Sequence, residues 1–314
     1  MANNTIASSR VLENGRQQLE AEIFLTELQE LFIGPNNRTR TSMPSSPSDS
    51  DEDRVDPMRL LNIANSLLEC DGAIEAVDRM NYRRERQQLQ NAANAFLATK
   101  ITFINEIANL CEKTNINVED ISIGMGLDKR IGSRFLRAGP AYGGSCFPKD
   151  TKAIVSTADK FKSNLSVIKS VIKSNQNRSD LLLKRLHSII KKINNKNVSF
   201  LGVTFKANTD DMRDSSSLKL IPFLSKKGAK IKYYDPTGPK KEFNNLKNVE
   251  YANSIQSCIA GSDLIIVHTE WNDFKSINFR KLSRNKKLII YDMRNIFSPE
   301  KIKKLGIKYF GIGR

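Results

Sequence analysis

The chain has 314 residues, of which 39% are hydrophobic, and is therefore long enough for two domains of ordinary size. Its net charge of +16 is carried mostly by lysines that alternate with apolar residues, which favours a solvated surface and argues against nucleic acid as a partner. The four cysteines lack CxxC spacing and no apolar run approaches a membrane span, so we expect a cytoplasmic protein with no metal site and no membrane contact.

The first 90 residues differ sharply in composition from the rest of the chain. They contain ten arginines, fifteen acidic residues and no lysine, whereas lysine is frequent from Lys100 onward. Residues 20–32 and 57–89 have helical periodicity, and the Ser-, Pro- and Asp-rich stretch 36–57 is typical of a disordered linker. We interpret residues 1–90 as an unassigned helical and disordered segment, joined to a sequence of different origin by natural fusion, by engineering or by an error of gene assembly.

Residues 91–190 are expected to form an all-helical domain. Ala92–Glu112 carries its apolar residues on one helical stripe, and Asn117 or Asp120 can start the next helix. Several glycines then interrupt the helical pattern before the segment GGSCFPKD.

The segment GGSCFPKD, at 143–150, is the strongest candidate for a catalytic motif. A helix that begins near Cys146 would place the thiol at its positive end, where the helix dipole favours thiolate. Asp150 follows one turn later on the same face and can order a water or the thiol proton. The two glycines let the backbone approach a ligand closely. The alternative is a buried, inert cysteine after a glycine turn, and the neighbouring residues favour the catalytic interpretation.

Residues 191–314 alternate Val- and Ile-rich strands with helices, which predicts an α/β domain with a doubly wound parallel sheet of Rossmann-like type. The expected strands are residues 197–203, 230–236, 263–269 and 287–293, and the expected helices are 216–227 and 253–260. The loop 204–217 follows the first strand at its carboxyl end, where ligands bind to such sheets. Its Lys206 and Arg213 side chains are suited to phosphates.

Three other polar residues of this domain and the helical block receive ordinary roles. Asp235 ends the second expected strand, as a ribose-binding acid would, but Gly202 is not followed by GxxG. We therefore interpret Asp235 as a turn residue. His187 and His268 fit no catalytic triad and are interpreted as ordinary helix and strand residues.

Seven stretches of the chain together resemble one known family. They are AANAFLATKITFINEIANLCE, LDKRIG, AGPAYGGSCFPKDTKA, LGVTFKANTDDMRDSSS, YYDP, TEW and YDMRNI. From Ala92 to Arg314 the sequence is similar to the central and C-terminal domains of the UDP-glucose/GDP-mannose dehydrogenase family, and within it to the bacterial UDP-glucose 6-dehydrogenases. The resemblance implies a central helical dimerisation domain over 91–190 and a UDP-sugar-binding domain over 191–314.

The resemblance also implies a mechanism and its catalytic residues. The family oxidises a sugar C6 alcohol to a carboxylate in two NAD-dependent steps, and Cys146 would carry the thiohemiacetal and thioester intermediates. Asp150 resembles the carboxylate that positions water, and Asn94 resembles the amide that steadies the oxyanion. The family has a lysine four residues before that asparagine, where this chain has Gln90. Loss of such a contact slows a reaction about 100- to 1000-fold, and we interpret Gln90 as the last residue foreign to the family.

Further residues are implied to bind the substrate, UDP-glucose or a related UDP-sugar, and the cofactor NAD. A loop that covers the sugar and diphosphate, a backbone segment that approaches the ligand and a lysine of the sheet domain would contact the substrate: Phe135, Leu136, Arg137, Tyr142, Gly143 and Lys206. Arg130 resembles an arginine that reaches into a neighbouring subunit's site, which implies a homodimer or larger homo-oligomer. Arg213 resembles an arginine near the NAD diphosphate, and Arg294 is expected to face the same cleft.

The family places NAD in an N-terminal Rossmann domain with a glycine-rich turn. Residues 1–90 contain no GxGxxG, so we expect a UDP-glucose 6-dehydrogenase-like chain that is incomplete or inactive alone. The alternative is a non-enzymatic UDP-sugar-binding or dimerisation module. A third hypothesis is that a separately encoded Rossmann half supplies NAD.

Overall fold

Residues 83–282 and 287–314 are described in the computed structural model. The expectations for residues 1–82 lie outside the described residues. Contacts group residues 88–314 into one unit, which contains every candidate site residue named above.

Four helices form the first part of this unit. They are α1 (Arg83–Thr114), α2 (Val118–Gly126), α3 (Cys146–Lys160) and α4 (Ser166–Ile189). Asn117 caps α2, because its side chain accepts a hydrogen bond from the Glu119 amide at 3.2 Å, as its place before the apolar run predicts. The helical runs expected on either side of residue 90 are continuous from Arg83, because Gln90 and Asn91 between them do not break a helix.

Six parallel strands in the order β3-β2-β1-β4-β5-β6 form the second part. The strands are β1 (Asn197–Leu201), β2 (Lys230–Tyr234), β3 (Val249–Tyr251), β4 (Leu264–Val267), β5 (Ile289–Asp292) and β6 (Lys308–Gly311), and helices α5 (Ser217–Lys226), α6 (Ile255–Ile259) and α7 (Pro299–Lys303) connect them. The prediction of a helical block followed by a doubly wound parallel sheet is confirmed. Strands β2 and β3 are added on one side of β1, and β4, β5 and β6 on the other, so the strand order reverses between β1 and β4. Ligands bind such sheets outside the carboxyl ends of the strands at this point.

His268 follows β4 and is buried in the interior of the sheet domain. Its Nε2 lies 2.8 Å from the Ser216 hydroxyl and its Nδ1 lies 3.2 Å from the Thr269 hydroxyl. Burial, together with the nearby Arg294 guanidinium, lowers the pKa of His268 to about 3. His268 is therefore neutral in the folded protein over the whole physiological range.

This burial predicts acid sensitivity. In the unfolded chain His268 gains a proton below about pH 6.5, whereas the folded chain keeps it neutral until about pH 3. The contribution of neutral His268 to the free energy of unfolding is therefore fully present above about pH 6.5. We expect protonation of His268 in the unfolded chain to lower the free energy of unfolding by about 3 kcal/mol between pH 7 and pH 4. Guanidinium unfolding at several pH values in this range should show a smaller fall in the free energy of unfolding for His268→Gln than for the unsubstituted chain. An equal fall in the two proteins would contradict the prediction.

Candidate active site

Cys146 is the first residue of helix α3. The Gly-Gly pair ahead of it cannot continue a helix, and Ser145 takes the cap position. The thiol is exposed and lies 3.6 Å from the Ser145 hydroxyl. The sequence prediction of a cysteine at a helix N-terminus is confirmed, and the helix dipole favours negative charge there.

Asp150 and Asn94 form a close pair one turn into α3. Asn94 Nδ2 donates to Asp150 Oδ2 at 2.6 Å, although the two residues are 56 positions apart in the chain. The Asp150 side chain is 1% exposed, and its other oxygen lies 3.4 Å from the Lys149 ammonium. That oxygen is buried and accepts no hydrogen bond within the described part of the chain, so Lys149 offsets its charge without donating to it. Asp150 therefore keeps an acceptor for a water or hydroxyl.

The Gly143-Gly144 pair packs against the sheet domain. A Cβ on Gly144 would lie 2.6 Å from the Phe205 ring, and one on Gly143 would lie 2.8 Å from the Asp214 carbonyl oxygen. Gly144 also has φ of +81° and donates its amide to the Arg213 carbonyl at 2.8 Å. In this structure the close backbone approach is to the loop after β1, which ties the cysteine to the sheet domain.

Phe205 was missed by the sequence reasoning. The glycine pair was a usable signal, because two adjacent glycines require a partner that approaches closely, and Phe205 is the aromatic residue of the 204–217 loop. That Phe205 is the partner of the glycine pair depends on a contact between residues about 60 positions apart, which local patterns do not show.

The three residues of the segment 135–137 differ in exposure. Phe135 is exposed and has φ of +63°, which is uncommon outside glycine and often marks functional segments, and its ring packs edge-on against Phe147 at 6.0 Å. Leu136 is 1% exposed and belongs to the core, and its carbonyl accepts a hydrogen bond from the Ser122 hydroxyl at 2.6 Å. Arg137 is exposed. Tyr142 is buried at 5% exposure beside the cysteine loop.

Lys206 and Arg213 lie on the loop that leaves β1. Lys206 is exposed, and its ammonium lies 5.4 Å from the centre of the Phe205 ring. The Arg213 guanidinium binds Asp211 through Nε at 3.0 Å and Nη2 at 2.9 Å, and this contact lowers the pKa of Asp211. The Arg213 carbonyl accepts a hydrogen bond at 2.8 Å from the amide of Gly144, two residues before Cys146, so the fold brings the segments of these two predicted residues together.

The guanidinium groups of Arg130 and Arg294 are both bound by other residues of the chain. Arg130 has a side chain 87% exposed and pairs with Asp128 of its own turn. Arg294 does not present its guanidinium to the cleft, because Nε donates to the His268 carbonyl at 2.9 Å and Nη2 to the Phe205 carbonyl at 2.6 Å. It braces the loops that follow β1 and β4.

Asp235 is a turn residue, as interpreted from the sequence. Its side chain is fully buried and accepts hydrogen bonds from the Val203 amide at 2.9 Å, the Thr237 amide at 3.1 Å and the Thr237 hydroxyl at 2.6 Å. Since the backbone occupies this carboxylate, it does not fit the role of a ribose ligand. His187 is an exposed residue near the end of α4.

The described residues hold no group of three metal-ligating side chains placed to bind an ion. Among the described helices, none has the length and apolar character required to cross a membrane.

Comparison with known proteins identifies the family. Residues 88–177 match the central domain of the UDP-glucose/GDP-mannose dehydrogenase family, and residues 199–299 match its UDP-binding domain. The chain belongs to the UDP-glucose/GDP-mannose dehydrogenase family. The central-domain match begins at residue 88, earlier than the resemblance read from the sequence, so Gln90 lies inside the family segment of this dehydrogenase-family chain.

Similar proteins match this chain over about half of their own length. A UDP-glucose 6-dehydrogenase of Rhizobium meliloti (strain 1021) is 41% identical over 234 residues, which are 74% of this chain and 54% of that protein. YwqF of Bacillus subtilis (strain 168), also named UDP-glucose 6-dehydrogenase, is 40% identical over 74% of this chain and 53% of its own length. The structure of a UDP-glucose dehydrogenase from Pyrobaculum islandicum covers 73% of this chain and 51% of that one, with 28% identity and a TM-score of 0.64. The chain spans about half the length of the curated relatives it matches.

Proposed function

We propose that this chain provides the thiol and UDP-sugar half of a UDP-glucose 6-dehydrogenase, which converts UDP-glucose and two NAD⁺ to UDP-glucuronate. Residues 91–190 form the helical domain with the nucleophile, and residues 191–314 form the UDP-sugar-binding domain. One observation carries the proposal: the exposed Cys146 thiol at a helix N-terminus has the Asn94–Asp150 pair one turn away.

The contacts of these residues support their chemical roles. Cys146 Sγ would add to the carbonyl carbon of a C6 aldehyde, and the carbonyl electron pair would move to oxygen. An amide has two N–H donors, and Asn94 uses one of them on Asp150, so the second can donate to that oxyanion. The Asp150 oxygen without a hydrogen-bond donor can orient the water that hydrolyses the thioester, which breaks the C–S bond and returns the thiolate.

NAD would accept the hydride in each oxidation step. Among the described residues, Arg213 is suited to approach its diphosphate, since its side chain is 67% exposed at the carboxyl end of β1. The sheet domain does not fit a dinucleotide site of its own, because Asp235 is occupied by backbone amides.

A charge substitution tests substrate binding. We expect Lys206→Met to weaken UDP-glucose binding about tenfold or more, because a charge-assisted hydrogen bond to the diphosphate is lost. Isothermal titration calorimetry of the full chain measures this. Lys230 is exposed at the amino-terminal end of β2, whereas Lys206 follows the carboxyl end of β1. Lys230→Met is therefore the matched control and should bind UDP-glucose with unchanged affinity. Equal affinity of the two variants would contradict the assignment of Lys206, and no binding by the unsubstituted chain would contradict the function.

A homodimer is the proposed assembly. Helix α1 exposes large apolar side chains at every seventh position, with Phe96 65%, Phe103 44% and Leu110 57% exposed. This spacing keeps them on nearly the same face of the helix, and such exposed apolar rows commonly mark protein interfaces. We expect Phe103→Glu to convert a dimer into monomers in light scattering coupled to size exclusion. Lys230→Glu, an exposed change of charge on β2 of the sheet domain, is the control, and a monomeric unsubstituted chain would contradict the proposal.

A UDP-sugar-binding module without turnover is the second candidate, and Gln90 favours it. Gln90 is exposed on α1, one turn before Asn94, and a neutral amide cannot supply charge to a developing alkoxide. Following NADH absorbance with UDP-glucose, NAD⁺ and a separately supplied NAD-binding domain of the family separates the candidates. UDP-glucose binding without NADH formation in that mixture would favour the module, whereas sustained turnover would favour the enzyme half.

A further inference from the structure

The loop that leads into Cys146 has no regular secondary structure. From residue 137 to residue 145 the chain forms neither helix nor strand. The buried backbone groups of such a loop must be satisfied by side chains or water. Side chains from α1 and α4 bind this loop at two points, Gly139 and Tyr142.

Asn175 of α4 makes a paired contact with the Tyr142 backbone. Its Oδ1 accepts from the Tyr142 amide at 3.0 Å, and its Nδ2 donates to the Tyr142 carbonyl at 3.0 Å. The side chain thus reproduces the two-bond pattern of a neighbouring β-strand residue. Two opposed bonds fix the direction of the loop as well as its position.

Tyr142 transmits this constraint to the start of α3. Its ring is 5% exposed and packs edge-on against Phe147 at 6.1 Å. Burial raises the pKa of Tyr142. Tyr142 is therefore held to α4 through its backbone and to α3 through its ring.

The upstream end of the loop is fixed separately at Gly139. The Arg178 side chain, 4% exposed, donates to the Gly139 carbonyl from Nε at 3.2 Å and from Nη2 at 3.1 Å. Asn105 Oδ1 accepts from the Gly139 amide at 2.8 Å. Because Gly139 is fixed independently, loss of the Asn175 contact would free only the part of the loop nearest the thiol.

We propose that Asn175 is a positioning residue for Cys146, which acts through Tyr142 to hold the thiol at the N-terminus of α3 beside the Asn94–Asp150 pair. The inference rests on the proposed function in treating Cys146 as the nucleophile. The position of the loop is a property of the folded chain, so its effect on Cys146 can be measured without substrate.

The test uses an isosteric pair of substitutions. Asn175→Asp keeps the size of the side chain but places an acceptor against the Tyr142 carbonyl, so one bond becomes repulsive. Asn177 is exposed two positions further along α4, and Asn177→Asp adds the same charge to the same helix. The readout is the rate at which iodoacetamide modifies Cys146 in the folded, full-length chain, measured across pH by peptide mass spectrometry.

We expect Asn175→Asp to slow modification of Cys146 at pH 7 about tenfold and to move its pH profile upward, whereas Asn177→Asp changes the rate less than about twofold. The physical reason is that a displaced thiol loses the helix terminus that favours thiolate. Hydrogen exchange in residues 139–145 should accelerate in Asn175→Asp alone. If Asn175→Asp does not fold, Asn175→Ala removes both bonds without adding charge and should shift the profile in the same direction.

An unchanged pH profile in a folded Asn175 variant, even with faster exchange in the loop, would make Asn175 merely structural and overturn the inference. Protection of Cys146 from iodoacetamide by bound UDP-glucose is a separate measurement. If UDP-glucose fails to slow modification of the unsubstituted chain, the proposed function is contradicted, and the comparison of the Asn175 and Asn177 variants still decides the inference.

Discussion

Iodoacetamide should modify Cys146 at least about 100-fold faster than Cys258 in the folded chain at pH 8. Cys146 is exposed at a helix N-terminus, whereas Cys258 is completely buried, and burial raises the pKa of its thiol to about 12. Relative to an ordinary thiol, this alone lowers the thiolate fraction of Cys258 about 1000-fold. Timed labelling with isotopically light and heavy reagent, read by peptide mass spectrometry, gives both rates in one sample.

Cys111 provides an internal check on this prediction. It is 1% exposed on α1, and burial raises the pKa of its thiol, so it should label slowly as well. In guanidinium chloride Cys111, Cys146 and Cys258 should react with iodoacetamide at similar rates, because unfolding exposes all three to solvent. Comparable rates for Cys146 and Cys258 in the folded chain would contradict the placement of Cys146 on the surface.

The parts of the fold that local patterns encode could be predicted from the sequence. Asn117 or Asp120 was expected to start a helix, and Asn117 is the residue that caps it. A helix that begins near Cys146 was considered from the glycine pair ahead of it, and α3 begins at Cys146. The Val- and Ile-rich runs predict the central strands of the sheet, whose side chains are buried on both faces. The edge strands β3 and β6 were missed, because three or four residues with mixed polarity carry little periodic signal.

The contacts that complete the candidate site join residues distant in the chain, and local patterns could not predict them. Asn94 and Asp150 were each identified through the family resemblance, but their 2.6 Å hydrogen bond depends on how α1 packs beside α3. Asn175 reads in sequence as one polar residue of an amphipathic helix, and its pairing with Tyr142 emerges only when the loop is placed.

Leu136 shows why the role of an apolar side chain is difficult to predict from a motif. The segment was assigned as a cover for the substrate, yet the Leu136 side chain lies in the core shared by the helices and the sheet. Periodicity cannot distinguish an apolar residue that closes a ligand cleft from one that closes the core, because both are favoured by the same removal of apolar surface from water.

Gly144→Ala should destabilise the folded chain by about 4 kcal/mol. Two costs add: a non-glycine residue in the left-handed region costs about 1–2 kcal/mol, and forcing a methyl group into packed atoms costs about 1–3 kcal/mol. The Cβ would lie 2.6 Å from the Phe205 ring, in the contact that ties the cysteine loop to the sheet domain. Guanidinium unfolding measures the loss of stability, and the loop 204–217, which contains Phe205, should show faster hydrogen exchange in the same variant.

Gly132→Ala separates the two costs of the Gly144 substitution. Gly132 also has a positive φ, +67°, but a Cβ there would meet no atom within 4 Å, so we expect only the backbone cost of about 1–2 kcal/mol. Adding Phe205→Ala to Gly144→Ala should recover part of the lost stability, since neighbouring substitutions that relieve one clash are not additive. Equal losses for the two glycine variants, or no recovery in the double variant, would mean that the Phe205 ring does not press on the cysteine loop. The cysteine loop would then be tied to the sheet domain by the hydrogen bond from the Gly144 amide to the Arg213 carbonyl and by the close approach of Gly143 to the Asp214 carbonyl oxygen.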